Sequence, residues 1–204
     1  MTDFFGGDSF QASFRTVQVD AYTAAFRVSG SIQTRFTRVG DIVNLQSGSH
    51  LTIEQAAISE YADPTATLSA PQALVAIDEL LVFVAAETPG AGTGGEMRIA
   101  KRPVKAQLAI PPFRLTGTIH IPQGSRPVDG LLNLHERFML MTDVQLASAA
   151  HPELGRQVPA LAMRRDRAHV VLVADDERPD ELLADLLDER TAAAWLRSAE
   201  DEGA

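Results

Sequence analysis

The sequence contains no cysteine, which excludes disulfides, thiolate nucleophiles and zinc sites built from cysteine. It also lacks any apolar run near the roughly 20 residues that span a bilayer, and its longest candidate, residues 80–86, is the size of a strand. Residues 1–8 show neither the basic start nor the apolar run of a signal peptide. We therefore expect no membrane contact and a reducing, cytoplasmic compartment.

Positive charge is scarce as well. The 204 residues carry 18 lysines and arginines against 27 acidic residues, a net charge of -9. Most of the excess acidity lies in residues 175–204, so the remainder of the chain is nearly neutral. Neither part provides the basic field that drives binding to a phosphate backbone. We expect no tight binding of nucleic acid.

Patterns that would carry catalysis or bind a cofactor are also missing. The five histidines have no metal-ligand spacing, and no serine lies in a nucleophile elbow. Residues 90–95 (GAGTGG) match a dinucleotide fingerprint in letters, but a strand pattern rather than a helix follows them, so they are better interpreted as a linker. The sequence predicts neither an enzyme nor a bound cofactor or metal.

The sequence does contain an internal repeat. Residues 14–32 (FRTVQVDAYTAAFRVSGSI) align without a gap on residues 101–119 (KRPVKAQLAIPPFRLTGTI), and the match continues in order to residues 81–85 and 170–174. Shared glycine and polar positions go beyond the apolar alternation common to all strands, which indicates a duplication. The shared positions are Gly30, Arg38, Asp41, Asn44, Gly117, Arg126, Asp129 and Asn133.

Each copy begins with two segments of alternating polarity, which is typical of half-buried strands. Gly30 and Gly117 fall inside the second strand, where glycine marks a bulge or a sharp bend. Each copy ends in two further strands around a short turn, Asp78-Glu79 or Asp166-Arg167, and this spacing predicts a closing hairpin.

The Arg-x-x-Asp segment of each copy predicts a short helical turn between the second and third strands. A recognition role for Arg38 and Asp41 is possible in principle, but we favour a local ion pair or cap that holds the turn. Asn44 and its counterpart are expected at a left-handed exit from the turn, which asparagine tolerates.

Five short strands in about 75 residues favour a small barrel or rolled sheet. The predicted fold class is mainly β: two tandem small antiparallel β-barrel or rolled-sheet domains related by internal duplication, plus a C-terminal α-helix. The predicted divisions are a flexible N-terminal segment (1–12), the first β domain (13–86), a Gly-rich linker (87–97), the second β domain (98–175) and an acidic C-terminal helix and tail (176–204).

Both ends of the chain carry candidate interaction residues. These are aromatic and leucine side chains: Phe4, Phe5, Phe10, Leu183, Leu187 and Trp195. Docking of the phenylalanines on a neighbouring subunit and on their own domain are equal alternatives. The leucines form the apolar stripe of a predicted helix over 180–197, and such a helix is marginal in water unless it packs on a barrel or a neighbouring subunit.

The second copy resembles a bacterial domain family of unknown function. Residues 113–122 (FRLTGTIHIP), 129–133 (DGLLN), 138–144 (FMLMTDV) and 168–173 (AHVVLV) match its strand ending in L-H-L-P, its D-x-L-N turn, its F-L-x-L-T-D strand and its closing strand after a histidine. The first copy lacks the proline and has Glu54-Gln55 in place of the T-D element. More loosely, the order of bent strands resembles Sm-like or SH3-like barrels, although Sm-like barrels carry a helix at the N-terminus. The resemblance implies tandem small β domains and no particular activity.

The sequence therefore predicts a non-enzymatic interaction or scaffold module. Its expected partners are other proteins or further copies of itself, in a homo-oligomer. The alternative is a ligand-binding or regulatory module that uses a pocket between the copies or, if Sm-like, an edge that binds nucleic acid. An enzyme is the third and least favoured reading.

Overall fold

The computed structural model describes residues 14–63, 65–86 and 100–173. The first half contains β1 (Arg15–Tyr22), β2 (Phe26–Thr34), α1 (Val39–Asn44), β3 (His50–Glu60), β4 (Thr67–Ala76) and β5 (Val82–Ala85). The second half contains β6 (Lys101–Ile110), β7 (Phe113–Pro122), α2 (Pro127–Leu132), β8 (Phe138–Ser148), β9 (Arg156–Arg164) and β10 (Val170–Val173). The predictions for 1–12, 87–97 and 176–204 lie outside the described residues.

The protein is mainly β, and its ten described strands form one antiparallel sheet. The strand order is β10-β6-β7-β8-β9-β5-β1-β2-β3-β4. The two separate barrels expected from the sequence are not seen, because β5 pairs with β1 on one side and with β9 on the other. The sheet is therefore continuous across the two halves and is not closed by the described pairings.

Within this sheet, the two halves have the same strand order. The first half reads β5-β1-β2-β3-β4 and the second reads β10-β6-β7-β8-β9. The second strand of each half has a shift in register, between Ser29 and Ser31 in β2 and between Thr116 and Thr118 in β7. Gly30 and Gly117 therefore lie at matching irregularities of the sheet.

A close approach of the neighbouring strand explains the glycine in β2. A Cβ atom at Gly30 would lie 2.5 Å from the Glu54 carbonyl oxygen of β3, which is closer than any side chain tolerates. At Gly117 the nearest atom, the Thr142 carbonyl oxygen, would lie at 3.0 Å. Next to these bulges, the facing strands place Gln55 (φ 51°) and Asp143 (φ 52°) in the left-handed region.

The closing hairpins predicted for each half are wrong. A 3₁₀ turn, Ile77–Glu79, follows β4, but β4 pairs with β3 while β5 pairs with β1 and β9. The chain turns a corner there, with Ile77 and Leu80 buried beneath it. The second half does the same with the 3₁₀ turn Arg165–Arg167 between β9 and β10. A short polar turn between two apolar runs does not distinguish this corner from a hairpin.

The described apolar side chains form two buried clusters, one mainly in each half. The first-half cluster also contains Phe138, Ala160 and Ala162 of the second half. The second-half cluster also contains four side chains of the first half: Tyr22, Tyr61, Leu81 and Val82. Each core is therefore completed by residues of the other half.

Candidate interaction surfaces

The seam between the halves is the pairing of β5 with β9. Val82 lies opposite Met163, and Phe83 lies opposite Ala162. All four side chains have 0 % of their surface exposed, and the Arg164 backbone N–H donates to the Leu81 carbonyl oxygen at 2.8 Å. Burial on both faces makes this junction part of the protein core.

Arginine side chains of the second half reinforce one end of the seam. Arg164 is only 6 % exposed, and its guanidinium donates to the Ile77 carbonyl oxygen at 2.9 Å and to Asp166 at 2.7 and 3.1 Å. The hydrogen bond from Arg164 lowers the pKa of Asp166. Arg137 pairs with Asp78 of the first half, so the corner after β4 is fixed from both strands, β8 and β9.

A second polar contact across the seam is centred on Asp20 of β1. Its carboxylate accepts hydrogen bonds from Arg27 (2.9 Å), Ser29 (2.6 Å) and, across the seam, Arg156 of β9 (2.8 Å). Burial acts to raise the pKa of Asp20, but the Ser29 hydrogen bond and the positive charges of Arg156 and Arg27 outweigh it, and the pKa lies below its ordinary value. Asp20 is therefore a partly buried anion held by both halves.

Aromatic rings cover the same region. The Arg156 guanidinium lies 5.2 Å from the centre of the Tyr22 ring, which makes an edge-to-face contact with Phe113 at 5.5 Å. Tyr61 meets the Phe113 ring at 6.0 Å and donates its hydroxyl to the Phe26 carbonyl oxygen at 2.8 Å. Burial, followed by the neighbouring Tyr22, raises the pKa of Tyr61. These contacts join side chains of the two halves and hold their relative orientation.

The short helix α1 lies across the seam and packs on β5, β8 and β9. Its apolar side chains Val39, Ile42 and Val43 are all buried. Asn44 donates to the Phe138 carbonyl oxygen and accepts from the Phe138 backbone N–H, both at 2.9 Å. Phe138 lies opposite Arg164 of β9, but the pairing of β8 with β7 ends at Met141. Asn44 therefore supplies the hydrogen-bond partners of Phe138.

Two expectations for this turn are wrong. No ion pair joins Arg38 to Asp41 within the described residues, and no side-chain cap begins the helix. Asn44 lies inside α1, and the residue after it, Leu45, has a φ of -97° rather than a left-handed value. Packing on the second half, rather than local capping, holds α1 in place.

Arg38 and Asp41 instead face a cleft of about 810 Å³ between the halves. Polar residues of both halves line it: Arg38, Asp41, Asn44, Lys101, His120 and Glu136. His120 shares a 3.0 Å hydrogen bond with Thr142, and burial, then the charge of Lys101, lowers the pKa of His120. The cleft therefore combines two carboxylate side chains, Asp41 and Glu136, with two cationic side chains, Arg38 and Lys101. It also contains His120, whose lowered pKa favours the neutral imidazole.

The second Arg-x-x-Asp segment has different surroundings. Arg126 precedes α2 without a side-chain cap, no ion pair joins it to Asp129 in the described chain, and Asn133 ends the helix at φ -86°. α2 packs on β7 but leaves Val128 56 % and Leu132 73 % exposed. The structure thus separates the two Arg-x-x-Asp segments: Arg38, Asp41 and Asn44 lie at the seam, whereas Arg126, Asp129 and Asn133 lie on the surface.

The outer edges of the sheet are β4 and β10, which each pair on one side only among the described strands. On β4, Leu68 is 69 % and Leu74 is 68 % exposed; on β10, Val171 is 38 % exposed. The seam arginines and these edge leucines were not singled out in the sequence. The difference between Arg156 and Leu68 at matching repeat positions is a signal that could have located one residue of each set.

The remaining candidate residues fall outside the described residues: Phe4, Phe5, Phe10, Leu183, Leu187 and Trp195. In the described part of the chain, no group of three or more histidine or acidic side chains is placed to hold a metal ion. None of the described helices is long and apolar enough to cross a membrane. Comparisons with protein-family models, with curated proteins and with solved structures each found no match.

Proposed function

We propose that the chain is a non-enzymatic interaction or scaffold module that associates with copies of itself, as a homo-oligomer in the cytoplasm. In this proposal, its two halves are tandem copies of one small β domain of the bacterial type that the second copy resembles. The observation that carries the proposal is the seam, where one half binds the other through edge strands while equivalent edges, β4 and β10, lie at the two ends of the described sheet.

Three features support the duplication. The halves share the order of their elements, including a six-residue helix after the second strand. They share a bulged second strand at Gly30 and Gly117. They also share a residue with left-handed backbone in the third strand, Gln55 in β3 and Asp143 in β8. The two side chains differ, so the shared feature is the backbone conformation.

The exposed apolar edges support an interaction role. An unprotected edge strand presents a row of backbone donors and acceptors to another chain, and soluble proteins usually place charges or proline there. β4 carries Pro71 but also two leucines that are each about two-thirds exposed. Such an edge is suited to pairing with a further strand.

Sedimentation velocity of the full chain tests the self-association. We expect the mass to rise above the 22.0 kDa of one chain as the protein concentration increases from about 1 to 300 μM, the range over which micromolar contacts form. A mass of one chain throughout this range would overturn the proposal.

A second candidate function is ligand binding in the cleft beside α1. The cleft supports it because both halves contribute charged side chains there, as a pocket between two copies requires. Its mixed charge favours a small zwitterionic or hydrogen-bonding ligand over a nucleic acid, whose binding would need a basic surface.

Two measurements test the two ligand classes. In a titration with a single-stranded oligonucleotide at low and physiological salt, we expect no submicromolar complex whose affinity falls steeply with salt. The NMR chemical shifts of His120 report on small molecules that bind in the cleft. Shifts at His120 caused by a small-molecule library would favour the ligand-binding function over the scaffold.

A further inference from the structure

We infer that copies of this chain associate head to tail, with β10 of one copy pairing antiparallel with β4 of the next. The contact repeats the seam that joins β5 to β9 inside one chain. It deepens the proposed self-association, on which it rests, by naming the surface, the partner and the register.

The strand pairings fix the counterpart of each seam residue. Val82 lies opposite Tyr22 of β1, and Val170 lies opposite Ala109, the counterpart of Tyr22 in β6. Val82 therefore corresponds to Val170, which corrects the alignment of 81–85 with 170–174 by one residue. The same spacing of 88 residues relates the left-handed Gln55 to Asp143. It also relates Ala76, the last residue of β4, to Arg164, the last residue of β9. The edge strand β4 therefore corresponds to β9, and β10 corresponds to β5.

The observed pairs of the seam translate directly into pairs between copies. The pair of Phe83 with Ala162 becomes Val171 of one copy opposite Leu74 of the next. The pair of Val82 with Met163 becomes Val170 opposite Val75. No other alignment of β10 on β4 preserves the relation that the two halves already show.

Exposure at these positions supports the pairing. Phe83 and Ala162 are fully buried in the seam, whereas their counterparts Val171 and Leu74 are 38 % and 68 % exposed. Leu74 and Val171 are thus exposed apolar side chains that the repeated seam would place against each other.

The helices point to the same contact. α1 lies on the β5 side of the first half and covers β8 and β9 of the second. α2 follows the second strand of the second half, as α1 follows that of the first, and it packs on β7. Repetition of the seam would lay α2 over β3 and β4 of the next copy. By the spacing of 88 residues, Val128 and Leu132 correspond to Gly40 and Asn44, which line the cleft against the second half. Their exposed side chains would then face the next copy.

The ionic contacts of the seam are not repeated at the edges. The counterparts of Arg137, Arg156 and Arg164 are Ser49, Leu68 and Ala76. Asp20, which Arg156 binds, corresponds to Gln107, whose buried side-chain nitrogen has no hydrogen-bond partner within the described chain. The contact between copies is therefore apolar and weaker than the seam, which makes the assembly reversible and insensitive to added salt.

Pairing of unlike edges is a heterologous contact, and it generates rings when the rotation closes and open chains when it does not. A symmetric dimer, by contrast, would pair β4 with β4 or β10 with β10. The two arrangements place different residues opposite one another, so a cross-link between chosen positions distinguishes them.

The absence of native cysteine makes site-specific disulfide formation a clean test. Opposed residues of antiparallel strands have Cα atoms about 4.5–5.5 Å apart, which a disulfide can join. We would mix full-length Leu74→Cys and Val171→Cys chains under mild oxidation and resolve the products by mass. Leu68→Cys with Val171→Cys is the matched control, because residue 68 lies six positions along β4, roughly 20 Å away.

We expect a mixed dimer of the Leu74→Cys and Val171→Cys chains at least ten times more abundant than the dimer from the Leu68→Cys mixture. A chain carrying both substitutions should give a ladder of higher oligomers. Equal yields from the two mixtures, or a Leu74→Cys chain that links mainly to itself, would overturn the head-to-tail register.

Sedimentation of a charge variant separates this inference from the proposed function. Leu74→Lys should restore the mass of one chain, while Phe26→Lys, on a strand paired at both sides, should associate like the native chain. If the native chain and the Leu74→Lys variant associate equally, self-association is supported but the β10–β4 contact is contradicted. If the native chain never associates, both the proposed self-association and the β10–β4 contact are contradicted.

Discussion

The helices α1 and α2 occupy equivalent places in the two halves and have very different surroundings. Both contain six residues, follow an arginine in extended conformation and have an aspartate in their first turn. α1 buries its three apolar side chains, whereas α2 buries only Gly130 and leaves Val128 and Leu132 exposed. The second half supplies the surface that covers α1, and the helices also differ, because Pro127 and Gly130 stand in α2 where α1 has the buried Val39 and Ile42.

The comparison extends to other positions of the seam and their counterparts at the edges. Phe83 and Ala162 are buried in the seam, whereas their counterparts Val171 and Leu74 are exposed. Asp20 binds Arg156 across the seam, whereas their counterparts are Gln107 and Leu68. Paired substitutions at equivalent positions can therefore measure what the seam contributes, provided that stability is measured at low protein concentration, where copies do not associate.

The largest difference is expected at Phe83 and its counterpart Val171. Phe83→Ala removes a fully buried ring and should lower the free energy of unfolding by about 3–5 kcal/mol. Val171→Ala should lower it by less than about 1 kcal/mol, since the side chain is already partly in water. Urea unfolding followed by circular dichroism measures both. Equal losses would mean that the seam is not part of the core.

The two bulge glycines should differ less. An added Cβ would meet backbone oxygen at 2.5 Å for Gly30 but at 3.0 Å for Gly117. Crowding of a packed interior lowers the free energy of unfolding by about 1–3 kcal/mol. We expect a loss near the upper value for Gly30→Ala and near the lower value for Gly117→Ala. Thermal unfolding of the two variants compares them, and a more damaging Gly117→Ala would contradict the geometry.

The repeated asparagines provide a smaller contrast. Asn44→Ala leaves the N–H and carbonyl of Phe138 without their partners, which should cost about 1–3 kcal/mol. Asn133→Ala removes an exposed side chain at the end of α2 and should change stability by less than about 0.5 kcal/mol. Urea midpoints that shift equally would show that the bond to Phe138 contributes nothing.

The smallest effect is expected from acid. The pKa of Asp20 is lowered in the folded protein, so its contribution to stability is present above the ordinary value of 3.8 and is lost as the pH falls through the lower folded value. Asp20→Asn should therefore flatten the fall in unfolding free energy below about pH 4. Glu60→Gln, on an exposed position of β3, is the control. An unchanged slope for Asp20→Asn would remove Asp20 from the seam contacts.

The sequence predicted the positions of the strands along the chain and the bulges at the glycines, because each depends on local alternation or on the space around one residue. It did not predict which edges pair. Alternation marks the buried face of a strand but carries no information on its neighbour, so the β5–β9 seam and the resulting single sheet were missed.

The site residues divide in the same way. Arg38, Asp41 and Asn44 were identified because they repeat, but their roles were assigned to local capping, which a single turn can supply. Asn44 instead binds the Phe138 backbone of the other half, and Arg38 and Asp41 line the cleft between the halves. Arg156 and Arg164 were not identified at all, since they matter only where the repeat is broken, at positions where the other copy has Leu68 and Ala76.

The sharing of core residues between the halves has a consequence for how the chain denatures. Phe138, Ala160 and Ala162 complete the first cluster, and the second cluster requires Tyr22, Tyr61, Leu81 and Val82. When one half opens, the other loses part of its own interior at the same moment. Despite the two-copy plan of the sequence, the chain should therefore melt in a single transition, and no half should persist as a folded intermediate.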